Sequence, residues 1–544
     1  MKKPLLIVLG IIFVVLLVIN LAVKNPSFNT KQELIGFAVG SKQYALAEET
    51  YKDLTALDSI NPDNYYGHLV SHFNIPAETT TDHQVKKRDD TAIFSFYESK
   101  SRSADPYQRD IGLYGLGLYY SLQDFNDKAL DYFAKVENRS FKYLNNSIGR
   151  IYFEKEQYEL AEKYLLREIY SGGNTGGAYP NLIAVYFQTN ALDKLGELLA
   201  DKKDEYFTAA DLTEYYFKTG KPLPYLKTIV ATGISNMDLK SLAAAFLIML
   251  VWLIYLRKID LFEPEKWRYI ILTFLLGGVF SYGTFILTDI NNHFIGFRLS
   301  GGIFNDFMYC FLGIGLVEEL MKLIPFLLLL RFTKVVNEPV DYIIYTSVSA
   351  LGFAFSENIF YFHGYGLDII HGRALIAVVI HMICSSVIGY GIYFGTGKME
   401  MNRTQRVLLF LFIAAFCHGF FDFWLVNEEV SYLKFLSFFF AIIGLVTWNS
   451  LLSNALNYSV SEDNKLQNLD GLKLKAYLIY GLSFILIFEY VMVSFKYGPG
   501  VGNECLTESV QSGAYLIVFI STSLSSFVIK RNAKWSANIN RQTD

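Results

Sequence analysis

The stretch that decides the fold is NDFMYCFLGIGLVEELMKLIPFLLLL, residues 305–330. It is long enough to cross about 30 Å of hydrocarbon as a helix. Near its centre it carries Glu318, Glu319 and Lys322. A charged side chain at that depth costs about 2.5–3.5 kcal/mol on insertion scales. Three such residues in one apolar run therefore indicate a polar site inside a membrane domain.

The composition supports a membrane protein with more than one domain. The 544 residues are 52% hydrophobic and 16% aromatic, and only 18% are charged, against about 25% in average soluble domains. The length exceeds that of a typical single domain. The formal net charge is −4 and no long basic tract occurs, which argues against a nucleic-acid partner. The four cysteines match neither a zinc ribbon nor a disulfide framework.

The other apolar runs predict an all-α polytopic bundle. The run 4–23 is predicted to be a retained anchor rather than a cleaved signal peptide, because it is long and no A-x-A site follows it. Nine spans are predicted after residue 240, at 241–256, 269–287, 305–330, 340–362, 373–395, 406–426, 432–456, 474–495 and 510–529. The predicted domains are the anchor 1–24, a helical-repeat domain 25–236, a transmembrane domain 237–531 and a tail 532–544.

The distribution of basic residues predicts the orientation. Lys and Arg recur in every second loop, beginning with Lys2 and Lys3 before the first span. The positive-inside rule then places both termini in the cytoplasm and residues 25–236 on the outer side of the plasma (inner) membrane.

Residues 25–236 are predicted to form tetratricopeptide-like repeats. The segments around Gly117 and Gly149 align at a shift of 32 residues, and in each copy an alanine, Ala129 or Ala161, follows the glycine after twelve residues. A third copy begins at residue 184. Such repeats are nominally about 34 residues of paired helices, and they build concave surfaces for proteins or peptides. We therefore expect a protein or peptide partner on this domain.

Polar residues recur in the three spans that follow the first motif. They are Glu357 with Asn358, His381 with Ser385, and His418 with Asp422. Residues four apart share a helix face, so Glu318 and Lys322 can pair, whereas Glu319 points about 100° away toward a neighbouring helix. Each motif alone is also compatible with simple hydrogen bonding between helices. Four successive spans of this kind predict one shared cavity, at the middle to outer depth of the membrane.

Two chemistries fit such a cavity. Zinc or another divalent metal, with Glu357, His381 and His418 as candidate ligands, would activate water near neutral pH. Alternatively, a desolvated glutamate acts as general base without a metal, and Asn358 donates to the developing oxyanion. A proton-coupled transporter is the rival interpretation, although the inverted repeats and broken half-helices of many carriers are not evident. A catalytically silent receptor that binds through the repeat domain is the third interpretation.

In order and spacing, these motifs resemble the PrsW family of intramembrane proteases, distant relatives of the CAAX prenyl and Abi proteases. The family pattern is E-E-x-x-K, F-x-x-x-E-N from Phe353, a histidine on the next span, and H-x-x-x-D. The resemblance covers about residues 245–430. It implies hydrolysis of peptide bonds in membrane-anchored proteins, for example regulators. The predicted catalytic residues are Glu318, Glu319, Glu357, Asn358, His381, His418 and Asp422, and the predicted pairing residues are Lys322 and Ser385.

Overall fold

The computed structural model describes residues 2–76, 89–260, 263–394, 401–459 and 471–527. Every regular element in these ranges is helical, and no strand occurs among them. The predicted all-α class is therefore confirmed. The predicted tail 532–544 lies outside the described residues. The chain divides into two compact units, one of Met1–Asn25 with Ile229–Asp544 and one of Pro26–Thr228.

The N-terminal helix α1, Lys2–Ala22, is apolar from Pro4 onward except for Asn20, and it is long and apolar enough to cross a membrane. In the described parts of residues 23–238, twelve helices follow before the membrane helices begin. Their bounds are α2 Lys31–Gly40, α3 Tyr44–Leu57, α4 Pro62–Asn74, α5 Thr91–Ser101, α6 Pro106–Ser121, α7 Asn126–Phe133, α8 Leu144–Glu154, α9 Tyr158–Tyr170, α10 Thr175–Gln188, α11 Leu192–Tyr206, α12 Ala209–Lys218 and α13 Pro222–Ser235.

The pairs α6–α7, α8–α9 and α10–α11 share one turn geometry. The turn residues Asp124, Glu156 and Asn190 have φ of 62°, 58° and 53°, and they lie 32 and 34 residues apart in the chain. Packing explains the glycines of the first two predicted copies. A methyl group on Gly117 or Gly149 would overlap a side chain of the partner helix. Paired helices thus recur at the predicted shift. Their assignment to the tetratricopeptide class stays a prediction.

The unit that includes Ile229–Asp544 contains the remaining helices, and most of them are longer. Their bounds are α14 Leu239–Ile259, α15 Trp267–Ser281, α16 Gly283–Ile290, α17 Ile303–Met308, α18 Leu316–Phe332, α19 Pro339–Tyr365, α20 Ile370–Gly372, α21 Val378–Phe394, α22 Arg403–Val426, α23 Phe435–Ser459, α24 Gly471–Tyr497 and α25 Pro499–Ser523. π-helical turns at Asn291–Ile295, Tyr309–Gly315 and Arg373–Ala377 precede or join some of them. The core includes Trp252 and Trp448, which are both fully buried.

Eight helices of the described residues are long and apolar enough to cross a membrane. They correspond to the anchor and to seven of the nine later predicted spans. Of the two others, 305–330 covers part of α17, the π-helical turn that follows it and most of α18, whereas 510–529 covers the second half of α25, which ends at Ser523, and residues 528–529 lie outside the described part of the chain. The run 305–330 carries Glu318, Glu319 and Lys322, and α25 begins at Pro499 and includes the polar sequence GNECLTESVQS. The chain is an integral membrane protein, and the total of ten spans stays a prediction.

Glycines allow the helices around the charged residues to pack closely. A Cβ at Gly315, just before α18, would overlap the backbone of Ala415 on α22, and a Cβ at Gly419 would overlap the backbone of Phe311. On the opposite side, Gly352 of α19 meets the backbone of Phe274 on α15 in the same way. The first two contacts hold α22 against the segment that leads into α18, and the third holds α19 against α15.

Candidate active site

Lys322 lies at the centre of the polar cluster. Its side chain is fully buried, and its Nζ lies 3.0 Å from Glu318 Oε2 and 2.9 Å from Glu319 Oε1. It also lies 2.7 Å from His381 Nδ1 and 3.4 Å from His418 Nδ1. A buried ammonium needs this many partners because transfer out of water costs several kcal/mol. One lysine thereby joins groups from α18, α21 and α22.

Glu319 connects α18 to its two neighbours. Its Oε1 lies 3.0 Å from His418 Nδ1, and its Oε2 accepts a hydrogen bond of 2.7 Å from Ser385 Oγ. The carboxylate is fully buried and both oxygens are engaged. The predicted orientation of Glu319 toward a neighbouring helix matches this geometry, as does the pairing of Glu318 with Lys322.

Glu357 holds the other histidine. Its Oε2 lies 2.8 Å from His381 Nε2 and accepts a hydrogen bond of 2.6 Å from Arg373 Nη2. The same guanidinium donates from Nε to Asn358 Oδ1 at 2.6 Å, and it lies 4.1 Å from the centre of the Tyr361 ring. Arg373 therefore fixes both members of the Glu357–Asn358 pair.

The two histidine rings lie next to each other in the cluster, edge to face. Their centres are 5.0 Å apart and their planes are nearly perpendicular. His418 Nε2 lies 3.6 Å from Glu318 Oε2 and 3.3 Å from Asp422 Oδ2. The carboxylates of Glu318, Glu357 and Asp422 are 16%, 21% and 21% exposed, whereas both imidazoles are almost completely buried. The accessible side of the cluster is thus lined by carboxylates.

All nine residues singled out in the sequence belong to this one network. Arg373 belongs to it as well and was missed. It was counted only as the first residue of a predicted span. Its signal was available, since Arg373 is a basic residue at the end of a span where the alternation of charges predicts few. Such an exception is explained when the cation pairs with an intramembrane carboxylate.

The donor atoms of the cluster fit a metal ion. Ligand atoms from Glu318, His381 and His418 lie within 4.8 Å of one another. Glu318 Oε2 is 3.8 Å from His381 Nδ1 and 3.6 Å from His418 Nε2, and about 3.4 Å separates neighbouring ligands of a tetrahedral ion with bonds of 2.0–2.1 Å. This grouping differs from the predicted ligand set in one member, because Glu357 binds His381 from the far side of the ring.

Lys322 uses some of the same lone pairs that a metal would use. Its Nζ contacts Glu318 Oε2 and His381 Nδ1. A bound cation therefore requires the ammonium to give up His381 Nδ1, because an imidazole nitrogen has one lone pair, whereas the Glu318 carboxylate oxygen has two and can serve both partners. The contact to Glu319 does not conflict with the metal ligands.

Comparison with known proteins identifies the family. A family model described as "PrsW family intramembrane metalloprotease" matches residues 265–447. Protease PrsW of Halalkalibacterium halodurans is 31% identical over 157 residues, which are 28% of this chain and 68% of that protein. The chain belongs to the PrsW family.

The matches to two further PrsW proteins cover a larger share of each relative. Protease PrsW of Clostridioides difficile is 29% identical over 199 residues, 35% of this chain and 82% of that protein. Protease PrsW of Geobacillus kaustophilus is 27% identical over 171 residues, 31% of this chain and 72% of that protein. No solved structure matches. The protein is thus an intramembrane protease of the PrsW family, a hydrolase, and nothing in these comparisons supports a transporter.

Proposed function

We propose that Glu318, His381 and His418 bind a divalent metal ion, zinc by the type of its donors, and that the site hydrolyses peptide bonds of membrane-anchored proteins. The observation that carries the proposal is that each histidine presents one nitrogen toward Glu318 and gives the other to a carboxylate. Histidine ligands of metals are usually oriented in this way. When bound, such an ion lowers the pKa of water to about 7 and so supplies a nucleophile.

The remaining residues orient the ligands and handle the proton. Glu319 holds His418 at Nδ1, and Glu357 holds His381 at Nε2, so these two carboxylates are positioning residues. Asp422 has an exposed edge beside His418 Nε2, and we assign to it the removal of a proton from the attacking water. Donation by Asn358 to the oxyanion stays a prediction, and its Oδ1 is engaged by Arg373.

Metal content separates the two water-activation schemes. We expect the purified chain to contain about one equivalent of zinc, and His381→Ala and His418→Ala to contain less than about a tenth of that. Lys322→Met should retain zinc, because it removes a competing cation and no ligand. Elemental analysis before and after dialysis against a chelator is the measurement. Full cleavage by the metal-free chain would instead favour a carboxylate that acts as base without a metal.

We further propose that the substrate is a membrane-anchored protein, for example a regulator, cleaved toward the outer side of the plasma (inner) membrane. The proposal follows from the depth of the cluster, because Glu357 lies nearer the predicted outer end of its helix and His418 near the middle of α22. A suitable test uses proteoliposomes with a pool of single-span polypeptides that carry a fluorophore at the outer end. The absence of cleavage throughout the pool would contradict this substrate class.

The extracytoplasmic repeat domain is proposed to capture or screen these substrates. Its recurring helix pairs are of the kind that build concave binding surfaces. Deletion of residues 26–228 should leave kcat/KM unchanged for a minimal span peptide. For the same span joined to its full extracytoplasmic domain, it should lower kcat/KM by about tenfold or more, which corresponds to about 1.4 kcal/mol of lost binding. An equal loss on both substrates would contradict this role.

A further inference from the structure

A second polar cluster lies inside the membrane unit but outside the site described above. It consists of His371 in α20, Glu489 in α24 and Ser509 in α25, and we call it the His371 cluster. Glu489 is fully buried. Its Oε1 lies 3.0 Å from His371 Nδ1 and accepts a hydrogen bond of 3.3 Å from the His371 backbone N–H. Its Oε2 accepts one of 3.0 Å from Ser509 Oγ.

The members of this cluster come from different parts of the chain. His371 lies inside the segment that matches the PrsW family model, whereas Glu489 and Ser509 lie beyond its end at residue 447. The family match therefore assigns no role to α24 and α25, the two helices that carry them. A buried carboxylate in an apolar helix is costly, and it marks a functional contact by default.

The cluster fixes the backbone just before the arginine of the active site. His371 is two residues before Arg373, which begins a π-helical turn, Arg373–Ala377. Trp252 holds the same turn from α14, through a hydrogen bond of 3.1 Å from Nε1 to the Ala374 carbonyl. A π-helical turn is rare and is often found at functional sites. The hydrogen bonds with Glu489 and Trp252 therefore fix the backbone position from which the Arg373 side chain extends.

We propose that Glu489 is a positioning residue of the protease, and that α24 and α25 complete the active site by fixing Arg373 against Glu357. The inference rests on the proposed function, because it needs Glu357 to orient His381. The argument is geometric. The Arg373 guanidinium holds Glu357 and Asn358 at 2.6 Å each, so a displaced turn removes both contacts. Glu357 would then pair less firmly with the ring that it orients.

The kinetic test compares single variants of the full chain. The probe is a fluorescent single-span polypeptide that the unaltered chain cleaves. Glu489→Leu is expected to lower kcat by about tenfold, at the low end of the roughly 10- to 100-fold loss that is usual for the direct partner of a metal-binding histidine, because Glu489 acts through Arg373 and Glu357, with KM within about twofold. Ser509→Ala should lower kcat in the same direction but less, and it serves if Glu489→Leu fails to fold. Glu489→Gln should restore most of the activity, because its amide oxygen still accepts from His371. Unchanged kcat in Glu489→Leu and Ser509→Ala would overturn the proposal.

Tyr490→Phe is the matched control. Tyr490 is the next residue of α24, is buried, and hydrogen-bonds through its hydroxyl to Asn20 and Asn503 rather than to the His371 cluster. It should lose a similar contact between helices without a change in kcat. A loss of kcat equal to that of Glu489→Leu would show a general packing effect and overturn the proposal.

A double-variant cycle separates positioning from structural support. If Glu489 acts through Arg373, then Glu489→Leu should change kcat by less than about twofold in an Arg373→Met background, because coupled residues are not additive. Multiplicative losses would overturn the inference. His418→Ala is measured in parallel. If it retains full activity, the proposed function fails; if it is inactive while the cycle is multiplicative, only the present inference fails.

Discussion

His418→Ala is expected to lower kcat/KM by more than about a thousandfold, the largest effect of any single substitution in this protein. Among the residues that the structure describes, this imidazole is the one side chain that contacts Glu319, Glu318 and Asp422 together. Its loss removes a proposed metal ligand and also leaves the buried carboxylate of Glu319 without one of its three partners. Cleavage of the fluorescent single-span polypeptide in proteoliposomes is the measurement.

His363→Ala is the control for this prediction. His363 also lies on a membrane helix, in the last turn of α19, but its side chain is 45% exposed and pairs with Asp238 at 3.2 Å rather than with a residue of the cluster. Its replacement should leave kcat/KM within about twofold, as expected for a surface position. Retained cleavage in purified, folded His418→Ala would contradict the site as proposed.

Breaking the buried pair of Glu319 and Lys322 is expected to have the largest effect on stability. Both side chains are fully buried and lie 2.9 Å apart. Removal of one partner leaves a buried charge with less compensation, which typically costs about 3–5 kcal/mol, whereas replacement of both by neutral groups is often close to neutral. Glu319→Gln and Lys322→Met should therefore each lower the thermal midpoint, and the double variant should recover most of the loss.

Activity should follow a different order from stability. Glu319→Gln and the double variant are both expected to lose about 10- to 100-fold in kcat/KM, because both lack the carboxylate that orients His418. Thermal unfolding in detergent and cleavage of the same probe give the two readouts. If the double variant regained activity together with stability, Glu319 would be a structural partner of Lys322 and not a positioning residue.

The motifs were predictable because the membrane makes polar residues conspicuous. A charged residue in an apolar run is costly wherever the helix packs, so Glu318, Glu357 and His418 were evident from their positions alone. The helices themselves were predictable from the length and hydropathy of the apolar runs. In a bilayer every backbone N–H and C=O group must be hydrogen-bonded within the protein, and a helix achieves this within one segment. The 32-residue shift also predicted the recurring helix pairs, because each glycine marks the contact between paired helices.

Partner choice was not predictable in the same way. The sequence grouped Glu357 with the two histidines as metal ligands, whereas the structure groups Glu318 with them. Both glutamates lie on helices next to His381, and helical spacing alone does not say which ring nitrogen each one reaches. Arg373 was missed for a related reason. Its role depends on the direction of a long side chain from a π-turn.

The sequence by itself determined that this chain crosses the membrane as helices, that four of them carry the polar chemistry, and that the motifs match the PrsW family. Those properties depend on residue type and local spacing. The membrane selects the residue types, and the helix geometry determines which nearby residues share a face. Only the tertiary structure decided which carboxylate lies opposite each imidazole nitrogen, and that Glu489 lies against His371. Such contacts join residues up to 118 positions apart, and their geometry is set by the packing of whole helices rather than by any local pattern.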